Sequence, residues 1–166
     1  MTVEIPILGS SLLFDVGVYV EAIDSAITLT NPKLQTGIYM PFPTAGDLGL
    51  EVTFPVPQNY SADPVLVLRG ILVGSPSGNM AWGAQQLSIG DSGAVDTAYE
   101  TEDLGANSTW TGYATEDMYE ETIVLTPASA YTPGDTIFLR LYRDDSADTT
   151  TFDFLLLDLS FRYTEV

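Results

Sequence analysis

Asp144, Asp145 and Asp148 share one short stretch, and Asp153 and Asp158 follow in the same segment, RDDSADTTTFDFLLLDLSFRY (143–163). Acids in this pattern suit two chemistries. Several carboxylate oxygens on one loop suit a hard cation such as calcium. Two carboxylates roughly 5 to 10 Å apart suit acid–base cleavage of a glycosidic bond. Against calcium, the loop lacks the alternating D-x-D-x-D-G spacing, and adjacent acids splay to opposite sides. The competing reading is a turn in which Asp144, Asp145 and Asp148 cap backbone amides and pair with Arg143. The turn is favoured, so no cofactor is expected and calcium stays the one cation to test. Glu116, Asp117, Glu120 and Glu121 raise the same question and receive the same answer. For glycoside cleavage no pair stands out among so many acids. Trp82, Trp110, Tyr99, Tyr113, Tyr119 and Tyr131 offer faces for a sugar, but serve equally as ordinary core and interface aromatics.

Absences remove further chemistry. The 166 residues include no cysteine and no histidine. Disulfides, thiolate catalysis, serine–histidine triads and nearly every zinc site go with them. A glycine-rich phosphate loop, a nucleophile elbow and zinc-protease motifs are also missing. No catalytic residue is assigned, and the chain reads as a non-enzyme.

Charge narrows the partners. There are 23 acids against 5 bases, a net charge of −18. A surface of this sign repels phosphate backbones and anionic lipid, so neither nucleic acid nor membrane is an expected partner. The excess fits solubility in salt, or a cation or basic partner. The opening MTVEIPILGSSLLFDVGVYVEA has no cationic leader, and Asp15 and Glu21 interrupt its apolar run. It is expected to be neither signal peptide nor membrane span, so synthesis in the cytoplasm is expected.

The elements that must position these residues are strands. Short apolar or alternating runs recur between turn signals such as PVPQNY, GSPSGN, GDSGA and TPGD, and no long segment has helical period. About ten strands in one domain predict an all-β fold, an antiparallel β-sandwich of jelly-roll type. With 45% hydrophobic residues, the chain can bury a core without staples.

The last strands allow finer expectations. Leu155, Leu157, Leu159, Phe161 and Tyr163 share one parity and predict a core face. The other parity starts apolar at Phe152, Phe154 and Leu156 and then turns polar at Asp158, Ser160 and Arg162. Ile137, Leu139 and Leu141 form the apolar face of the preceding strand. Joining both faces in one hairpin puts Leu141 opposite Leu155, pairs Arg143 with Asp153, and sets Arg140 diagonal to Asp158. The apolar outer residues Phe152, Phe154 and Leu156, with Tyr39 and Phe42, are the candidate interface.

VTFPVPQNYSADPVLVLRGILV (52–73), GNMAWGAQQLSIGDSGAVDTA (78–98), YTPGDTIFLRLYRDDSADTT (131–150) and FDFLLLDLSFRYTE (152–165) occur in an order that resembles small jelly-roll proteins encoded among phage and environmental-virus structural genes. The resemblance covers about residues 50–166. It implies a virion component, such as a capsid decoration, minor capsid or fibre protein, with no catalytic motif to carry over. Residues 1–49 fall outside it and are candidates for attachment or oligomerisation. A homo-oligomer, expected to be a trimer, and contacts with other virion proteins such as the major capsid protein follow from this reading. The alternatives are a carbohydrate-binding or adhesin module, calcium-stabilised or not, and then a hydrolase using paired carboxylates.

Overall fold

The computed structural model describes residues 1–8, 38–40, 48–73, 77–91, 93, 98–100, 103–105, 108–109, 118–144, 146–150 and 152–166. Among these there are eleven strands and no helix. They are β1 (Thr2–Leu8), β2 (Ile38–Met40), β3 (Leu48–Pro55), β4 (Tyr60–Val73), β5 (Asn79–Met80), β6 (Trp82–Ile89), β7 (Asp103–Leu104), β8 (Ser108–Thr109), β9 (Met118–Val124), β10 (Thr136–Arg143) and β11 (Asp153–Glu165). The alternation in sequence is realised as alternation in burial. In β3, Leu50, Val52 and Phe54 are buried while Glu51, Thr53 and Pro55 are exposed, as a strand with one wet face requires. The TPGD signal becomes a tight turn. Asp135 N donates to Thr132 O at 3.0 Å, with Pro133 and Gly134 at the centre. Gly134 has φ of 91°, the left-handed value that a type II turn needs at its third position.

Two antiparallel sheets result. The first has the order β1-β11-β4-β9, with β2 also paired to β11; the second has the order β3-β10-β6-β7. β5 and β8 form a separate two-stranded ribbon. Four of the pairings nest by chain order, while β4 with β11 and β6 with β10 join neighbouring pairs within each sheet. β1 pairs with β11, β3 with β10, β4 with β9, and β6 with β7. The chain is thus a ribbon doubled back at β6–β7, whose successive rungs alternate between the sheets. The sheets face each other across one core. Phe54 meets Phe161 with ring centroids 5.3 Å apart, and Trp82 meets Phe154 edge-on at 5.3 Å. Tyr60, Leu66, Leu68, Ile137 and Leu139 fill the same core.

β11 corrects the expected parity. Leu156 pairs with Gly70 and Asp158 with Arg69, so Leu157 is an extra residue bulged out of the ladder. One inserted residue exchanges the faces. Before the bulge Phe152, Phe154 and Leu156 point into the core; after it Leu159, Phe161 and Tyr163 do. Phe152, Phe154 and Leu156 are 2%, 0% and 1% exposed, so they are core packing in this chain and not a surface awaiting a partner. Gly70 makes this possible. A Cβ there would stand 2.3 Å from Leu155 O and 2.4 Å from Phe154 Cζ, so the Phe154 ring occupies the place of the missing side chain.

The expected β10–β11 hairpin is also corrected. β10 lies in the second sheet between β3 and β6, and β11 lies in the first between β1 and β4. Between Arg143 and Asp153 the chain passes from one sheet to the other. Within 1–49, β1 and β2 are integral to the first sheet, and Val3, Ile5 and Ile7 pack on the core. Leu48 and Gly49 begin β3 of the second sheet, and residues 9–37 and 41–47, Phe42 among them, lie outside the described residues, as does Asp145.

Candidate functional site

Three constellations of polar side chains are held by these sheets. The largest crosses the outer face of the first sheet. Arg69 of β4 sits directly opposite Asp158 of β11 on one side and Glu120 of β9 on the other. Its Nε donates to Glu120 at 2.7 Å, and its Nη1 donates to Asp158 at 2.9 Å and to Glu4 of β1 at 2.5 Å. One guanidinium therefore ties β1, β11, β4 and β9 together. Ser160 Oγ also donates to Asp158, at 2.7 Å. The hydrogen bond from Arg69 holds the Glu4 carboxyl below its usual range, against a smaller opposing effect of burial. The same bond raises the Arg69 pKa. A general acid needs its pKa raised towards the working pH, and Glu4 moves the other way. These acids are arranged to anchor an arginine.

The second constellation is buried at the end of β10. Arg143 faces inward, opposite Trp82 and Leu48 on the flanking strands. Its Nε and Nη2 both donate to one Asp148 oxygen, at 3.0 and 2.8 Å. Nη2 also donates to Thr150 Oγ1 at 2.5 Å, and Nη1 donates to the Phe152 carbonyl at 3.2 Å. The other Asp148 oxygen accepts from Thr150 N at 2.9 Å and Thr150 Oγ1 at 2.6 Å. Both charged side chains are 0% exposed. Such a pair holds only with its remaining donors and acceptors satisfied, and the loop supplies them. Asp144 takes the exposed end of the turn, its Oδ1 accepting from Ser146 N at 2.9 Å and Ser146 Oγ at 2.6 Å.

The favoured turn reading thus holds for Asp144 and Asp148, which are capping and ion-pairing groups. Among the described residues no group of three or more acidic side chains is placed to hold a metal ion. The pairing of Arg143 with Asp153 is replaced by one with Asp148 in the loop. Asp153 instead begins β11 opposite Val73. Asp158 meets Arg69 and not Arg140, because Arg140 belongs to the other sheet. Of the residues expected at an interface, Tyr39 lies in β2 opposite Leu155.

The third constellation lies on the outer face of the second sheet. The Arg140 guanidinium stands 5.3 Å from the centroid of the Tyr142 ring, a cation–π distance. Glu51 and Gln85 flank Arg140 on the neighbouring strands. Tyr99 is close enough that Glu51, after the larger effect of burial, raises its phenol pKa. Arg140, Tyr99, Glu51 and Gln85 form a cluster suited to hydrogen bonding, while the Tyr142 ring under Arg140 is buried, at 3% exposure.

The residues missed from sequence are Glu4, Arg69 and Glu120 acting together. A signal was available in VLVLRGILV, where Arg69 is the one charge in an apolar run and must find partners or water. What could not be read was which acids, since they come from strands far apart in the chain. In comparisons with protein-family models, curated proteins and solved structures, the chain matches none.

Proposed function

We propose that this protein is a non-enzymatic structural component of a virus particle, of the capsid decoration, minor capsid or fibre kind, built as one jelly-roll domain. The observation that carries the proposal is the nested pairing of β1 with β11, β3 with β10, β4 with β9 and β6 with β7. A doubled ribbon rolled into two sheets is the jelly-roll pattern, which viral capsid and lectin domains use. Fold alone does not assign a function. The use of charge adds support, because Glu4, Glu120, Asp148 and Asp158 serve as tie points for arginines. In this reading the protein resides in the virion as a homotrimer and contacts the major capsid protein. Light scattering on the purified chain, followed by sedimentation with the capsid protein encoded beside it, tests this. A trimer that co-sediments supports the reading; a monomer that stays in the supernatant counts against it.

Carbohydrate binding, as a module or adhesin head, is the second reading. Arg140 over Tyr142, with Tyr99, Glu51 and Gln85 alongside, favours it. Glycan-array binding abolished by Arg140→Ala would raise it above the first; an array without hits would remove it.

A further inference from the structure

One carboxylate, that of Asp103, gathers groups from both sheets. Its Oδ2 accepts from Gln86 Nε2 at 3.0 Å and from Thr126 N at 2.9 Å. Its Oδ1 accepts from Thr126 Oγ1. This sharing bounds the geometry. Both nitrogens donate to the same oxygen, so Thr126 N and the Gln86 amide nitrogen lie within two hydrogen-bond lengths of each other. The Thr126 hydroxyl sits on the neighbouring oxygen of that carboxylate. Gln86 belongs to β6 in the second sheet and Thr126 follows β9 of the first. Gln86 is 0% and Asp103 6% exposed, whereas Thr126 is exposed.

A hydroxyl, a carboxylate and a carboxamide in this order are the parts of an acyl transfer. A base that contacts both the nucleophile and the leaving nitrogen can take the proton from one and hand it to the other, as general bases do in amide cleavage. Holding the reacting groups in one fold supplies the proximity such a step needs. We propose that Thr126 and Gln86 form an intramolecular ester cross-link, with Asp103 as the proton carrier. The bond from Thr126 Oγ1 to Gln86 Cδ forms and the Gln86 Cδ–Nε2 bond breaks. Asp103 passes the hydroxyl proton to Nε2, and one molecule of ammonia leaves. No oxidant, reductant or cofactor is consumed. The exposed Thr126 side gives ammonia a way out, while burial of Gln86 keeps bulk water from its carbonyl carbon and so favours the ester over hydrolysis. The chain has no cysteine for a disulfide, and its one lysine, Lys33, lies outside the described residues. A hydroxyl and a carboxamide are therefore the groups left here for a covalent staple, and this one joins β6 of the second sheet to the end of β9 of the first.

The test is intact mass spectrometry of the purified full chain, denatured after prolonged incubation at neutral pH. A mass lower than the sequence mass by one ammonia is expected, and a chymotryptic digest should contain a branched peptide joining Gln86 to Thr126. Thr126→Ala should restore the full sequence mass, and hydroxylamine, which cleaves esters, should remove the branched peptide. Because asparagine side chains can also lose ammonia, the branched peptide decides the assignment. The full sequence mass in the wild-type chain overturns the proposal. So does a loss of ammonia that persists in Thr126→Ala or yields no branched peptide.

Discussion

Arg69 lies directly between Asp158 and Glu120 in a row across three strands, and the same guanidinium reaches Glu4 on the fourth. A single side chain thus cross-links β1, β11, β4 and β9 on the outer face of the first sheet. Three carboxylates around one cation would repel one another without it.

Removing that cation tests the link. Arg69→Met should lower stability in urea by about 1–2 kcal/mol, more than an isolated surface ion pair provides, because it leaves three facing carboxylates. Adding Glu120→Gln to Arg69→Met should recover part of the loss. If the double variant is no more stable than the single, the carboxylates are not coupled through Arg69.

Acid should loosen the same row. The Glu4 pKa is lower folded than its ordinary value of 4.5, so its contribution is present above that value and is lost as pH falls through the folded pKa. Relief of the −18 net charge acts in the opposite direction over this range, so the comparison must be made with Glu4→Gln. Wild type minus Glu4→Gln stability should shrink below about pH 4.5. A difference that is constant from pH 7 to 3 contradicts the assignment.

The buried pair behaves differently from the surface row. Arg143→Met strands Asp148 in the interior and should cost about 3–5 kcal/mol. Arg143→Met with Asp148→Leu removes both charges and should cost less than the single change. Urea melts of the two variants decide it, and an equal or larger loss for the double variant would show that the charge is not what matters.

The bulge at Leu157 has its own signature. Phe154→Ala should destabilise by about 3–5 kcal/mol as a core truncation. Leu157→Ala should cost well under half of that, since Leu157 is only partly buried. The sequence parity alone assigns them the other way round, so the ranking of two melting temperatures separates the registers.

Much of this architecture was legible from local pattern. Alternation in LGLEVTFP and the TPGD turn announce a strand and its end, because burial of one face and the φ of Gly134 are local demands. The turn roles of Asp144 and Asp148 were legible for the same reason. Leu157 was not, since one inserted residue leaves a run of leucines that looks equally apolar on either parity. The crossing of residues 144–152 between sheets was also hidden, because two adjacent strands usually form a hairpin. Here Arg143 instead draws Asp148, Thr150 and the Phe152 carbonyl inward and carries the chain across.

The central claim, a structural role in a virus particle, is tested most directly by quantitative mass spectrometry of gradient-purified particles from the source of the sequence. The protein should co-migrate with the capsid at a fixed copy ratio that survives a high-salt wash. Recovery only in the soluble fraction, with none in the particle band, would contradict it.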